Sequence, residues 1–162
     1  NHEDDGHTDT YEQGKHFEKE MANIIKKYFS EKKILVDASK GYLIDKYSKK
    51  RQINLILKRY DGKEVAFIEV ASFGDKPSYF NFKNKLEECS ILNGGFFIAI
   101  CGTAKLNLDK GENRELEPKV YFLAQSKGGS VKSRIRMKKP EIYSNVLEHF
   151  LNDLEDITKS KE

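Results

Sequence analysis

"QINLILKRYDGKEVAFIEVAS", residues 52–72, is the stretch of sequence that decides the fold. Two runs rich in β-branched and aromatic residues flank the dipeptide Asp61-Gly62. Such a dipeptide between apolar runs is a strong signal for a β-hairpin. If Asp61 and Gly62 are the two central residues of the turn, Tyr60 faces Lys63 across it. The stretch therefore predicts two antiparallel strands with a defined register.

That register places a glutamate among apolar side chains. Asn54 then faces Glu69 and Gln52 faces Ala71, and residues two apart share a face, so these four side chains fall on one side of the hairpin. Their neighbours on that side include Ile56, Val65 and Phe67. A buried carboxylate takes up a proton, pairs with a cation or binds a metal. Glu69 is therefore a candidate metal ligand or catalytic residue, and a structural ion pair is the alternative.

The remaining segments predict an α/β domain. Residues 11–33 carry apolar side chains at helical spacing, which predicts an amphipathic helix of about four turns. Residues 33–40 and 41–47 predict two short extended segments, and residues 96–101 and 119–125 predict strands. A second helix is expected from Pro77 to the Gly94-Gly95 pair. A third is expected from Pro140, with an apolar stripe at Ile142, Val146, Phe150 and Leu154. The expected fold is α/β, with a central mixed sheet of four to five strands flanked by helices.

The length of 162 residues fits one domain. We expect residues 1–12 to be a tag, a linker or disordered, residues 13–158 to form the domain, and residues 159–162 to be a tail. No apolar run approaches the ~18 residues that a membrane span needs, so no membrane partner is expected. Cys89 and Cys101 lack the spacing of metal ligands, and a reducing, cytoplasmic setting is the default expectation.

Charge is segregated along the chain, although the net charge is only +3. Residues 1–12 contain five acids and no Lys or Arg, whereas residues 119–140 contain seven basic residues and no acid. A second basic cluster, "KYSKKR", occupies residues 46–51. Such segregation suits a polyanion such as nucleic acid, and a solvated lysine-rich surface is the alternative.

The order of these segments resembles the PD-(D/E)XK nuclease superfamily, which includes many restriction endonucleases, over residues 11–126. "GKHFEKE" is similar to the leading helix of that family, with its glutamate at Glu18. "QINLIL" lies where the family has an Asp-Leu-Ile type strand, and "FIEVAS" lies at its Glu-x-Lys strand. "KNKLEECSILNGGFFIAI" is similar to the helix and strand that follow. The resemblance implies a restriction-endonuclease-like core.

The resemblance also implies a site that binds Mg²⁺ or Mn²⁺ and hydrolyses phosphodiester bonds. Magnesium prefers hard anionic oxygens, and a bound metal ion lowers the pKa of a water molecule towards neutrality. The metal ligands that the resemblance implies are Glu69, Asn54 and Val70. The catalytic positions that it implies are Glu69, Asn54, Ala71 and Glu18, and Gln52 is a further candidate.

Two of these positions depart from the family pattern. Asn54 stands where the metal-binding Asp is expected, and Ala71 stands where the Lys is expected. An Asn carbonyl offers an oxygen without charge and Ala71 offers no ligand, so metal affinity and rate should both fall. Three explanations stay open: an inactivating substitution, a naturally degenerate relative that binds without hydrolysis, or an active variant with groups supplied from elsewhere. For the last, the candidates are Gln52, Ser72, Asp75 and Lys76.

Nucleic-acid contacts are expected near the second helix and in the C-terminal basic run. The candidates are Lys76, Lys83, Lys85, Lys132, Arg134, Arg136 and Lys138. An edge strand protected by charge explains the C-terminal run nearly as well. Two of the catalytic candidates have alternatives. Glu18 could be a solvated helix residue, in which case Glu20 takes its place at the site. Gln52 either positions a water molecule or only packs against its neighbours.

The expected function is that of a Mg²⁺-dependent DNA endonuclease domain of the restriction type, with Asn54 and Ala71 as the positions that would inactivate this chain. Cutting both strands of a duplex usually calls for two sites, so a homodimer is expected. One rival is a non-catalytic nucleic-acid-binding module with a degenerate nuclease fold. The other is an α/β interaction domain in which Glu69 forms a structural ion pair.

Overall fold

The described part of the chain contains three helices and five strands. The structure, a computed structural model, describes residues 2–71, 79–91, 94–101, 118–124 and 144–160. Its helices are α1 (His2–Glu31), α2 (Tyr79–Glu88) and α3 (Ser144–Ser160). Its strands are β1 (Val36–Ile44), β2 (Lys50–Arg59), β3 (Glu64–Ala71), β4 (Gly95–Cys101) and β5 (Lys119–Ala124).

The five strands form one mixed sheet in the order β1-β2-β3-β4-β5. The first three strands are antiparallel, and β4 and β5 continue the sheet in parallel from β3. A parallel neighbour requires a crossover connection, and α2 lies in the connection between β3 and β4. The expected α/β class with a mixed sheet of four to five strands is confirmed. The two extended segments predicted at residues 33–47 are one strand, β1.

Helices α1 and α3 cover one side of the sheet, which we call the α1 face. Phe17, Met21, Ile25 and Phe29 of α1 lie four residues apart and are fully buried, because this spacing keeps side chains on one side of a helix. They share a core cluster with side chains of α3 and of the sheet: Phe150, Leu154, Leu55, Leu57, Ile68, Val70, Phe97 and Ala99.

Helix α2 covers the opposite side, which we call the α2 face. Its buried Tyr79, Phe82 and Leu86 pack in a second cluster. The sheet side chains of that cluster are Ile53, Ile56, Phe67, Ala71, Phe96, Ile98 and Ile100. Side chains of β4 alternate between the two clusters, so both of its faces are buried, as its continuous apolar run predicts.

The β2–β3 hairpin has the predicted register but a different turn. The Arg59 N–H donates to the Lys63 carbonyl at 2.8 Å, so the loop has three residues, Tyr60, Asp61 and Gly62. Gly62 has a φ of +84°, as expected at the third position of such a loop. The expectation that Asp61 and Gly62 are the two central residues is therefore wrong. An extra residue of β3 between Glu64 and Ala66 then restores the predicted pairing of Leu55 with Ile68.

Glu155 of α3 joins the two helices of the α1 face. It accepts hydrogen bonds from the Tyr28 hydroxyl at 2.6 Å and from Lys159 at 2.7 Å, and it pairs with Lys32 at 3.2 Å. The hydrogen bonds from Lys159 and Tyr28 lower the pKa of Glu155 to about 2, and Lys32 adds to this shift. A carboxyl whose pKa is lowered by folding stabilises the folded state above its unfolded pKa.

Glu155→Gln should therefore lower the free energy of unfolding at pH 7 by about 1–2 kcal/mol. In the parent chain this contribution is present above pH ~4.5 and is lost as the pH falls towards 2, so the variant and the parent should converge in acid. Urea unfolding between pH 7 and pH 3 measures the difference. Glu148→Gln, on an exposed position of the same helix, is the control and should change little. A difference that does not depend on pH would contradict this account.

The helices extend beyond both predicted domain bounds. Helix α1 begins at His2 and α3 ends at Ser160, whereas the sequence predicts a domain over residues 13–158. Those bounds stay a prediction. Of the helices in the described residues, none combines the length and the apolar character that crossing a membrane requires.

Candidate functional site

A bulge in β2 turns the side chain of Asn54 towards helix α1. Ser39 pairs with Ile56 and Gly41 pairs with Ile53, so β2 has one extra residue between these two pairs. The extra residue breaks the alternation of side chains along the strand. As a result, Ile53 and Ile56 both lie on the α2 face, and Asn54 contacts α1 on the other side.

The Asn54 amide connects α1 to β3. Its Nδ2 donates to Glu18 Oε1 at 2.6 Å, and its Oδ1 accepts from the Val70 N–H at 3.0 Å. These contacts fix the orientation of the amide, because the reverse orientation would place Oδ1 against the carboxylate and the NH₂ group against an N–H. The structure thus brings together two predicted site residues, Glu18 and Asn54, that are 36 positions apart.

Glu69 and Ala71 lie on the α2 face. They pair with Ile98 and Ile100 of β4, and both of these isoleucines belong to the core cluster of the α2 face. The expectation that Asn54 and Gln52 share a face with Glu69 and Ala71 is therefore wrong. The cause is the bulge in β2, which leaves the predicted pairing intact beyond Leu55 but reverses the side on which Asn54 emerges.

Asn54 and the residues around it do not form a suitable site for a magnesium ion. Mg²⁺ takes oxygen ligands in near-octahedral geometry and is usually held by carboxylates. Both ends of the Asn54 amide are engaged, its NH₂ group faces the Glu18 carboxylate, and Glu69 lies across the sheet. Within the part of the chain that the structure describes, no three His, Cys, Asp or Glu side chains are grouped to hold a metal. The metal roles of Glu69, Asn54 and Val70 stay predictions.

A cleft of about 730 Å³ lies between α1 and the β1–β2 side of the sheet, and we call it the α1 cleft. Its lining residues are Glu18, Lys19, Ala22, Asn23, Lys26, Ala38, Ser39, Lys40, Asn54 and Leu55. Lys19, Lys26 and Lys40 are exposed. The acidic member of the lining, Glu18, is engaged by Asn54 at 2.6 Å. The α1 cleft therefore offers three cations to an anionic ligand, with the Glu18–Asn54 pair in its wall.

Sequence reasoning missed the cations of the α1 cleft. Lys19, Ala22, Asn23 and Lys26 follow the spacing i, i+3, i+4, i+7, which places them on one side of a helix. That spacing is a signal that could have found two of the three lysines. Lys40 has no such signal, because it joins them only through the packing of β1 against α1.

The structure describes two of the seven residues that were predicted to contact nucleic acid, Lys83 and Lys85. Lys83 is 3% exposed, with its ammonium 5.8 Å from the centre of the Tyr79 ring, so the expected contact with a phosphate at the surface does not fit its position. The Lys85 ammonium donates to the Gln52 carbonyl at 2.9 Å. The remaining nucleic-acid-binding candidates lie outside the described residues: Lys76, Lys132, Arg134, Arg136 and Lys138. Ser72 and Asp75, which were candidates for supplying a missing catalytic group, also lie outside them.

Comparisons with known proteins give one distant structural likeness. No family model matches the chain, and no curated protein matches it. The chain is similar to the structure described as the native BbvCI A2B2 tetramer, with 14% sequence identity and a TM-score of 0.41. The likeness covers 80% of this chain and 59% of that one. At this low identity and TM-score, the likeness does not assign the chain to a family.

Proposed function

We propose that this domain binds the phosphodiester backbone of DNA in the α1 cleft, and that this chain binds without hydrolysing it. The observation that carries the proposal is the position of the Asn54 amide. It holds Glu18 at 2.6 Å in the wall of a cleft that three exposed lysines also line. An amide in that place supports binding rather than metal-dependent cleavage.

The lysines of the α1 cleft suit a backbone of repeating charge. Lys19 and Lys26 are seven residues apart on α1, which corresponds to about 10 Å along the helix axis. Lys40 of β1 lines the same cleft across from them. A strand of nucleic acid presents phosphates at intervals, so several cations can be engaged at once, and each releases a counterion. The sequence-independent part of DNA binding has this origin.

Two features of the site oppose cleavage, and an acid restored at position 54 would remove only the first of them, the amide beside Glu18. A second carboxylate beside Glu18 would attract a divalent cation, whereas the Asn54 amide donates a hydrogen bond to Glu18 and adds no negative charge. Ala71 offers no cation, and its side chain lies on the α2 face. The fold that the sequence resemblance implies is therefore proposed to serve here as a binding scaffold.

Binding of a fluorescent 20-mer DNA duplex, followed by anisotropy between 50 and 300 mM NaCl, tests the proposal. A variant with Lys19→Ala, Lys26→Ala and Lys40→Ala should bind at least about 10-fold more weakly at 100 mM NaCl. The slope of log K against log salt should also become shallower by about 2–3, because up to three phosphate contacts are lost.

The control removes the same amount of charge elsewhere. Lys27, Lys58 and Lys63 are exposed and do not line the α1 cleft, so replacing these three with Ala should change affinity far less. Equal losses in the two triple variants would show that only net charge matters and would refute the α1 cleft as the binding site. An absence of DNA binding by the parent chain at 50 mM NaCl would refute the function.

A second candidate function is Mg²⁺-dependent DNA cleavage of the restriction type. The contact of Asn54 with Glu18 favours it, because the sequence resemblance implies an acid at each of these positions. A homodimer is proposed together with it, since cutting both strands of a duplex calls for two sites. Restoring the expected acid at position 54 decides between the two functions.

A further inference from the structure

The hairpin that joins β1 to β2 exposes large side chains. Tyr42 is 51% exposed, Ile44 is 63% exposed and Tyr47 is 63% exposed. With Lys46 and Lys50, they form what we call the hairpin patch. Single exposed apolar side chains are ordinary, but a group of them with a polar rim marks an interaction surface.

The turn of this hairpin is held by a buried acid. Asp45 Oδ1 accepts from the N–H groups of Tyr47 at 2.9 Å and Lys49 at 2.8 Å, and its Oδ2 pairs with Arg51 at 3.2 Å. Burial opposes ionisation of Asp45, but the Lys49 N–H, the Arg51 guanidinium and the Tyr47 N–H together lower its pKa. The Lys46 N–H also donates to the Glu88 carbonyl of α2 at 2.8 Å. Tyr47 is therefore presented from a braced turn.

The hairpin is strongly basic. Residues 41–52 contain the exposed Lys46, Lys49 and Lys50. Arg51 is paired with Asp45 at 3.2 Å and with Glu88 of α2 at 2.6 Å. The Lys50 ammonium lies 4.4 Å from the centre of the Tyr42 ring, and the Lys46 ammonium lies 5.2 Å from that of Tyr47. Each aromatic ring thus has a cation beside it, a combination that suits bases joined by a phosphate backbone.

Tyr42 lies on the same side of the sheet as Asn54. Leu43 packs against the core cluster of the α2 face, so its neighbour Tyr42 emerges on the α1 face. Tyr42 pairs with Gln52, and Asn54 is two residues further along β2, which corresponds to about 7 Å. Tyr42, with Lys50 beside its ring, therefore continues the surface that contains the Glu18–Asn54 pair.

We propose that the hairpin patch binds an unpaired nucleotide, whose base stacks on Tyr42 beside Lys50 while the adjoining backbone enters the α1 cleft. The inference rests on the proposed binding of DNA and adds a preference for single-stranded segments. Stacking on aromatic rings tolerates any base sequence, because every base presents a flat π surface.

A tryptophan probe tests base stacking directly, since the chain contains no Trp. In Tyr42→Trp, oligo(dT) of 20 nucleotides should quench the indole fluorescence, because the base stacks on the indole ring. Heparin has the charge of a nucleic acid but no bases, and it should leave the fluorescence nearly unchanged. The matched probe is Tyr60→Trp, because Tyr60 is 68% exposed with Arg59 5.9 Å from its ring but lies at the other end of β2. It should not be quenched.

Affinity provides the second readout. Tyr42→Ala should weaken binding of oligo(dT) about 5- to 100-fold and change duplex binding little, because one stacked base is lost. Tyr60→Ala is the control. Equal quenching by heparin, or quenching of the Tyr60→Trp probe, would overturn the stacking proposal. Unchanged fluorescence and affinity in a chain that still binds duplex would overturn it while leaving the proposed function intact. A parent chain that binds neither form of DNA would overturn both.

Discussion

Replacing Asn54 by Asp should make the stability of this domain depend on divalent cations. The Asn54 Nδ2 now donates to Glu18 Oε1 at 2.6 Å, and the substitution turns that hydrogen bond into an encounter of two carboxylates. Two carboxylates at this distance must share a proton or a cation. In EDTA at pH 8 we expect a loss of about 2–4 kcal/mol, from the lost hydrogen bond and the repulsion that replaces it. Saturating Mg²⁺ or Mn²⁺ should recover most of that loss, because a cation that binds only the folded state stabilises it.

The matched control exchanges the two groups. In the double variant Glu18→Gln with Asn54→Asp, the amide lies on the helix and the acid on the strand, so the hydrogen bond is kept in reverse. This variant should be close to the parent chain in stability and should not respond to metal. Thermal unfolding in EDTA and in 10 mM MgCl₂ measures all three chains. If Asn54→Asp alone is as stable as the parent chain in EDTA, the arrangement of Glu18 and Asn54 described here is contradicted.

The same variant decides between the two candidate functions. Binding without hydrolysis predicts that Asn54→Asp, alone or with Ala71→Lys, leaves supercoiled plasmid uncut in Mg²⁺ and in Mn²⁺. The physical reason is that Glu69 and Ala71 lie on the α2 face, across the sheet from Glu18. Metal-dependent nicking by either variant would favour the endonuclease instead. Glu69→Ala in the nicking variant would then test whether Glu69 belongs to the site.

Phe150→Ala should cause a large loss of stability, greater than that of Asn54→Asp. Phe150 of α3 is fully buried, and its ring centre lies 6.0 Å from that of Phe97 and 5.1 Å from that of Tyr121. Truncating a buried phenylalanine removes its transfer free energy and leaves a cavity, at a cost of about 3–5 kcal/mol. Small domains are stable by only about 5–15 kcal/mol, so this variant should be close to unfolding at 37 °C.

The control is a phenylalanine of the neighbouring strand that does not enter the core. Phe122 of β5 is 52% exposed, and Phe122→Ala should change the free energy of unfolding by about 0.5 kcal/mol or less. Urea unfolding of both variants, with the m-value compared, measures the difference. If the two variants lose similar amounts, α3 does not pack on the sheet as described.

Local sequence patterns determined the elements and the pairing of the central strands. The apolar spacing of Phe17, Met21 and Ile25 predicted helix α1 and its buried side. The runs of β-branched and aromatic residues on both sides of the Asp61-Gly62 dipeptide predicted the β2–β3 hairpin, and the pairing of Leu55 with Ile68 is the predicted one. Its turn was predicted incorrectly, and the register was nevertheless right because a three-residue loop and an extra residue in β3 compensate.

Only the tertiary structure decided which residues share a surface. The bulge in β2 depends on how β1 pairs with it around Gly41, and no local pattern in "QINLIL" encodes it. That bulge moves Asn54 to Glu18 and away from Glu69. Lys40 likewise reaches the α1 cleft through the packing of β1 on α1. Periodicity fixes where a side chain points relative to its own strand or helix, whereas a binding surface depends on contacts between elements that are distant in sequence.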